Sequence, residues 1–155
     1  MVLWISFRNI TLITLINRSN VYDKFPSLAL GLSRAFSNTS IGSYWDFDSL
    51  FQHIINFEVY AFIEEQSGYC GVFQVCQAPK AKTLNFFWSG KHSSNPNPTD
   101  WDEIDAFLES AAKDLGCTFI QCEGRPGWKN ILSDRGYEQD AVLFTKGVSN
   151  ELPNV

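Results

Sequence analysis

The residues from Asp100 to Lys146 constrain the fold of this chain most, because their hydrophobic period identifies a complete helix in the sequence alone. Asp100 and Glu103 form a capping-box-like start, with Asp in place of Ser or Thr. Apolar residues then recur on one helical face as far as Leu115. Gly116 follows as the residue that ends the helix. This stretch predicts an amphipathic helix with both ends defined.

Shorter elements follow that helix. Residues 117–122 are few and β-compatible, which predicts a strand. Pro126 and Gly127 break the chain before residues 128–135, which predict about two helical turns. Residues 141–146 are again rich in β-forming residues and predict the last strand.

The first half of the chain predicts two helices behind a strand. Residues 2–16 favour an extended strand. Residues 24–36 place apolar side chains at helical spacing, with Pro26 tolerable only in the first turn. Asp46 can cap a second short helix that runs through Asn56.

The clearest hairpin lies in the middle of the chain. Two β-rich runs, 59–64 and 70–76, flank a turn-forming spacer that contains Gly68. Residues 83–88 form a third run, whose near-continuous apolar residues predict burial on both faces. These three runs predict an antiparallel meander.

Composition and charge limit the classes of function. A chain of 155 residues with 45% hydrophobic residues predicts a single domain over 1–155, with an N-terminal strand or arm at 1–20 and a tail at 147–155. The net charge of −5 argues against a nucleic-acid partner. The four cysteines lack zinc-ligand spacing and predict buried free thiols and no metal. No segment predicts a signal peptide or a membrane span, so we expect no membrane partner.

The order of elements resembles the fold of the GCN5-related N-acetyltransferases (GNAT proteins). The resemblance is more specific at Gly124-Arg125-Pro126-Gly127-Trp128, followed by Leu132 and by Gly136-Tyr137. This motif resembles the C-terminal half of GNAT-like proteins of tailed bacteriophages. The resemblance implies an α+β protein with a central, mostly antiparallel mixed sheet flanked by helices.

The resemblance also implies a place for acetyl-CoA, whose diphosphate GNAT enzymes bind with a glycine-rich loop before the central helix. Here that loop, residues 88–100, contains one glycine, Gly90, and two prolines that donate no N–H, and it ends at the carboxylate of Asp100. An acidic N-cap competes for the donors that a phosphate would use. We therefore expect no cofactor; in the alternative hypothesis Gly90, Lys91 and Ser93 contact the phosphates of acetyl-CoA.

The acid and base of the resembled enzymes are not matched either. Leu132 stands where many of them carry a tyrosine that protonates the departing thiolate. The principal prediction is therefore no catalytic residue. In the alternative, Glu123 or Tyr137 handles protons, although Glu123 beside Arg125 also suits an ion pair and Tyr137 also suits packing.

Arg125, Trp128 and Lys129 would form an aromatic and basic patch suited to an acidic protein surface or to a small anion. The first hypothesis is accordingly a noncatalytic GNAT-fold phage protein, a virion structural or assembly component whose partners are other phage structural proteins or itself as an oligomer. It would reside in the virion or the host cytoplasm. The alternatives are an N-acyltransferase that uses acetyl-CoA with a non-standard phosphate loop, and a small antagonist of a host enzyme.

Overall fold

The computed structural model describes residues 12–149, so most of the strand predicted over 2–16 lies outside the described residues. The chain divides into two compact units, the first ending at Gly124 and the second beginning at Arg125. Within residues 12–124, the first unit contains five strands and three α-helices. In chain order they are β1 (Ile13–Ile16), α1 (Val21–Asn38), α2 (Phe47–Ile55), β2 (Tyr60–Glu64), β3 (Tyr69–Gln77), β4 (Lys82–Gly90), α3 (Trp101–Asp114) and β5 (Phe119–Cys122).

The five strands form one mixed sheet in the order β1-β2-β3-β4-β5. The first four are antiparallel neighbours, whereas β5 lies parallel to β4 because the α3 crossover returns the chain to the same end of the sheet. The predicted hairpin is confirmed, with Glu64 opposite Tyr69 and Gly68 at φ +76° in its turn. The predicted α+β class and mostly antiparallel sheet are also confirmed.

One face of the sheet is covered by α1 and α2. Val21, Leu28, Leu32 and Leu50 are fully buried in this layer, and each such side chain contributes about 1.5–3 kcal/mol of hydrophobic stabilisation. The indole Nε1 of Trp88 donates a hydrogen bond to the Leu32 carbonyl at 3.2 Å, which ties β4 to α1.

The opposite face is an aromatic layer beneath α3. The ring of Phe62 lies 4.9 Å from that of Phe107 and 5.7 Å from that of Phe86, measured between centroids. The rings of Phe62 and Phe86 approach β3 at Gly71, where an added Cβ atom would lie 2.5 Å from Phe62 and 2.9 Å from Phe86. Gly71 is therefore required by packing rather than by backbone conformation.

α1 begins earlier than predicted, and this moves Pro26 out of the first turn. The helix starts at Val21 because Asn17 and Asn20 build a hydrogen-bonded turn before it: the N–H of Val21 donates to the Asn17 carbonyl at 2.9 Å, and the N–H of Asn17 donates to Asn20 Oδ1 at 2.8 Å. Pro26 is tolerated in the second turn because it faces solvent, where water can satisfy the carbonyl that loses its N–H partner.

The second unit contains a 3₁₀ turn at Pro126–Trp128 and the short helix α4 (Lys129–Ser133), which is shorter than the predicted 128–135. The N–H of Gly136 donates to Ser133, and Gly136 at φ +85° ends the turn after this helix. None of the helices in residues 12–149 combines the length and apolar character needed to cross a membrane.

The strand predicted at 141–146 is wrong. Residues 141–149 have no regular structure and are exposed, with Phe144 90% accessible. A β-prone run becomes a strand only where a neighbouring strand pairs with its N–H and C=O groups, and no described strand pairs with this one.

Substituting Gly71 with Ala tests the aromatic layer. We expect Gly71→Ala to lower the free energy of unfolding by about 1–3 kcal/mol, because the added methyl overlaps the rings of Phe62 and Phe86. Urea denaturation measures the change. Gly127→Ala is the matched control, since its Cβ would meet nothing within 4 Å, and it should change stability by no more than about 0.5 kcal/mol. Equal stabilities of the two variants would contradict this packing.

Asp46 gives the fold a pH dependence. Its carboxylate caps α2 by accepting the N–H of Ser49 at 2.7 Å, and this bond holds the pKa of Asp46 below its ordinary value of 3.8. Because the folded pKa is lowered, the charged cap stabilises the protein above about pH 4, and this stabilisation is lost as pH falls through the folded pKa.

We expect the stability difference between the wild type and Asp46→Asn to shrink as pH falls through this range, measured by urea denaturation at a series of pH values. Asp46→Ser retains a cap acceptor without a titrating group, so its pH profile should match that of Asp46→Asn. Parallel profiles for the wild type and both variants would rule out this role.

Candidate functional site

A bulge interrupts β4 where it pairs with β3. Val72 pairs with Trp88 and Phe73 with Phe86, so Phe87 is an extra residue without a partner on β3. As a result Phe87 and Trp88 both face the α1/α2 core, while Phe86 faces α3. The last pair between β4 and β5 is Phe86 with Cys122, and β4 continues to Gly90 paired with β3 alone. Beyond Phe86 no residue of β5 pairs with β4, because β5 ends at Cys122.

Glu123 directly follows Cys122, the last residue of β5. Its N–H donates to the Phe86 carbonyl at 3.0 Å, and its exposed carboxylate accepts a hydrogen bond from Asn85 Nδ2 at 3.3 Å. The other amide atom, Asn85 Oδ1, is buried and has no hydrogen-bond partner within the described residues. Glu123 is thus oriented by an amide, and sequence reasoning did not identify Asn85 as its partner.

The buried phenol of Tyr69 lies beside the C-terminal end of β4. Tyr69 Oη is 2.7 Å from Ser89 Oγ, and the ring of Trp101 meets the tyrosine edge-on at 4.7 Å. Burial raises the pKa of Tyr69, which keeps this hydroxyl protonated at neutral pH.

The start of α3 is occupied by the protein's own carboxylate. Asp100 Oδ1 accepts the N–H of Glu103 at 3.1 Å, as predicted. The reciprocal bond of a capping box is not formed, because Glu103 Oε2 is buried without a hydrogen-bond partner within the described residues. Asp102 and Glu103 add two more carboxylates in the same turn. Three acidic side chains therefore surround the end of the helix that would attract an anion.

The helix dipole and the carboxylates at this helix start act on an anion in opposite directions. The helix dipole favours an anion by roughly 0.3–1 kcal/mol. A unit negative charge about 4 Å from one carboxylate is repelled by about 1 kcal/mol in water and by about 4 kcal/mol at an effective dielectric constant of 20. At that distance, repulsion from a single carboxylate would equal or exceed the attraction of the dipole.

The loop before α3 is held by its own hydrogen bonds. Lys91 Nζ donates to the carbonyls of Asn97 at 2.8 Å and Asn95 at 3.4 Å. Asn97 Nδ2 donates to the Gln66 carbonyl at 2.9 Å, and Gln66 Nε2 donates to the Pro98 carbonyl at 3.2 Å, which fixes the loop to the β2–β3 turn. The ammonium of Lys91 is consequently directed at loop carbonyls.

Gly90 and Ser93 are the other two residues of the alternative phosphate site. A Cβ at Gly90 would lie 2.9 Å from the Gly31 carbonyl in α1, so this side of Gly90 faces the helix. Ser93 is exposed in the loop. The binding of acetyl-CoA by these three residues stays a prediction.

The remaining predicted site residues belong to the second unit. Leu132 lies in α4, and the N–H of Tyr137 donates to its carbonyl at 3.1 Å. In the predicted interaction patch, Arg125 and Lys129 are exposed and Trp128 is half-buried. The backbone N–H of Trp128 donates to the Arg125 carbonyl at 2.9 Å. One short turn thus presents all three residues of the patch.

The four cysteines are free, but the prediction that they are buried holds only for Cys70. Burial raises the pKa of the Cys70 thiol to about 12, so it is an unreactive packing residue. Cys76 is exposed, and Cys117 and Cys122 are half-buried.

Comparison with known proteins identifies the fold. No protein-family model matches the chain, and no curated protein matches it. Among solved structures it is similar to an aminoglycoside acetyltransferase from an uncultured soil metagenomic sample, with 11% identity, a TM-score of 0.67 and coverage of 88% of this chain and 97% of the other.

Two further solved structures are also similar to this chain. The glucosamine-6-phosphate N-acetyltransferase of Arabidopsis thaliana has 18% identity and a TM-score of 0.61, with 88% of this chain and 99% of the other covered. The ribosomal-protein-alanine N-acetyltransferase of Brucella melitensis biovar Abortus 2308 has 11% identity and a TM-score of 0.60, with 88% and 99% covered. The chain therefore has the GNAT acetyltransferase fold, as predicted.

Removing the Asp100 cap should destabilise α3. We expect Asp100→Ala to lower the free energy of unfolding by about 1 kcal/mol, because the N–H of Glu103 loses its acceptor. Asp100→Ser should retain most of the stability. The control is Asp114→Ala, which removes an exposed carboxylate at the unfavourable C-terminal end of the same helix. A loss at Asp114 equal to that at Asp100 would contradict the capping role.

Proposed function

We propose that this chain is a GNAT-fold protein that does not bind acetyl-CoA through the start of α3 and that acts through contacts with other proteins. The observation that carries the proposal is the carboxylate of Asp100 on the N–H of Glu103, with Asp102 and Glu103 in the same turn. The site where a diphosphate would gain backbone donors instead supplies repulsion. The loop bonds of Lys91 support the same conclusion.

The finer form of the proposal is a structural or assembly component of a phage virion, with other structural proteins or a second copy as partner. The Gly124-Arg125-Pro126-Gly127-Trp128 motif and its resemblance to phage proteins support this form. The aromatic and basic patch of Arg125, Trp128 and Lys129 supports a protein partner, since Trp and Arg are enriched among residues that dominate binding.

A second candidate is an N-acyltransferase, and the comparisons favour it, since the similar structures are acetyltransferases matched over nearly their whole length. The exposed carboxylate of Glu123, just after the last pair of β4 and β5, also supports it. In this candidate Glu123 or Tyr137 moves the proton, and Gly90, Lys91 and Ser93 hold the cofactor. Acetyl transfer that Glu123→Gln abolishes would establish this candidate and refute the first.

Calorimetry with acetyl-CoA tests the first proposal. We expect no heat of binding to the wild type at roughly millimolar ligand, which corresponds to binding weaker than about −4 kcal/mol. The triple variant Asp100→Ser, Asp102→Asn, Glu103→Gln retains a cap acceptor and removes the three charges, so it should bind measurably more tightly than the wild type. Inorganic pyrophosphate serves as a second probe of the same helix start.

The matched control is Asp134→Asn together with Asp140→Asn, which removes two exposed carboxylates from the second unit and should not create binding. Micromolar binding of acetyl-CoA to the wild type would overturn the proposal. Absence of any gain in the triple variant would show that the carboxylates are not what excludes the diphosphate.

A further inference from the structure

Part of the solvent-facing side of α1 is apolar, whereas the exposed side of a surface helix is normally polar. Tyr22, Pro26 and Leu30 recur every fourth residue and point away from the sheet. Tyr22 is 75% exposed and Leu30 is 50% exposed. A helix that packs on a sheet with one side normally shows charged and polar residues on the other. We call these three residues the outer stripe of α1.

Aromatic residues extend the outer stripe toward α2. The ring of Phe51 meets those of Tyr22 at 5.3 Å and Phe25 at 5.2 Å, both edge-on. Phe25 and Phe51 are half-buried, so parts of their rings remain at the surface. The stripe is therefore one border of a larger apolar surface, of the kind that marks interaction sites.

Two opposite charges lie on the other border of the outer stripe. Asp23 and Arg34 are exposed and about three helical turns apart on the same side of α1. At about 1.5 Å per residue, roughly 16 Å of helix separates them, so they cannot pair with each other. Neither has an ion-pair partner within residues 12–149. The acid lies at the N-terminal end of the stripe and the base at its C-terminal end.

We propose that the outer stripe of α1 is the contact surface for a second copy of this chain, with the two α1 helices antiparallel about a two-fold axis. In such an isologous pair, the N-terminal half of one helix faces the C-terminal half of the other. Asp23 of each copy then lies beside Arg34 of the other, and Pro26 and Leu30 pack across the axis. The pattern of acid, apolar stripe and base is complementary to itself only in this orientation.

This inference rests on the proposed function in one respect, since it names a second copy as a protein partner. Sedimentation equilibrium of the full chain over a range of concentrations tests it. We expect a reversible dimer in the wild type. Leu30→Glu should lower the association constant by at least roughly tenfold, equivalent to about 1.4 kcal/mol, because it places two carboxylates in the apolar contact.

Charge reversal tests the orientation. Asp23→Lys and Arg34→Glu should each weaken the dimer, because each creates two like-charged contacts, and the double variant should restore association to near the wild-type value. Lys80→Glu is the matched control for Arg34→Glu, since it makes the same change of charge at an exposed turn between β3 and β4. Circular dichroism confirms that each variant is folded.

A wild type that stays monomeric at all concentrations would overturn the inference. So would a dimer that Leu30→Glu and Arg34→Glu weaken no more than Lys80→Glu, or a double variant without recovery. These results are separable from the test of the proposed function. A monomer that binds no acetyl-CoA removes this inference alone, whereas a dimer that binds acetyl-CoA removes the proposed function alone.

Discussion

The extra residue in β4 is the constraint on which the rest of the first unit depends. Because Phe87 has no partner on β3, Trp88 turns to the same face as Phe87 and reaches the Leu32 carbonyl of α1. Without the bulge, Trp88 would point at the α3 layer, and α1 would lose its polar anchor to the sheet. Phe86, the residue before this extra one, is also the last residue of β4 that pairs with β5.

The two faces of the sheet are packed by different sets of side chains. On the α1/α2 side, aliphatic residues of both helices share a core with Trp88, whose ring lies 6.2 Å from that of Phe36 and 5.4 Å from that of Phe47. On the α3 side, large rings pack against one another, and the space for them comes from the missing side chain at Gly71. This layer depends on close packing of the rings, since each aromatic pair adds only about 0.5–1.5 kcal/mol of stabilisation beyond that of the area it buries.

The sequence predicted what local chemistry determines. The caps at Asp46 and Asp100, the turn at Gly68 and the end of α3 at Gly116 are short-range features, and the structure confirms each. It did not predict the bulge at Phe87 or the bond between Asn85 and Glu123, because both depend on pairing with distant strands. The strand at 141–146 was wrong for the same reason, since β-propensity is expressed only against a partner strand.

The start of α3 shows how a side chain can satisfy the first N–H groups of a helix without a ligand. The first N–H groups of a helix need acceptors, and a bound phosphate or a side chain can supply them. A carboxylate at the N-cap contributes about 1 kcal/mol to stability whether or not a ligand is present, whereas a phosphate contributes only when it is bound. Asp100 therefore makes this helix independent of any cofactor. The cost is that the donor is already engaged, and Asp102 and Glu103 add charge of the wrong sign for an anion.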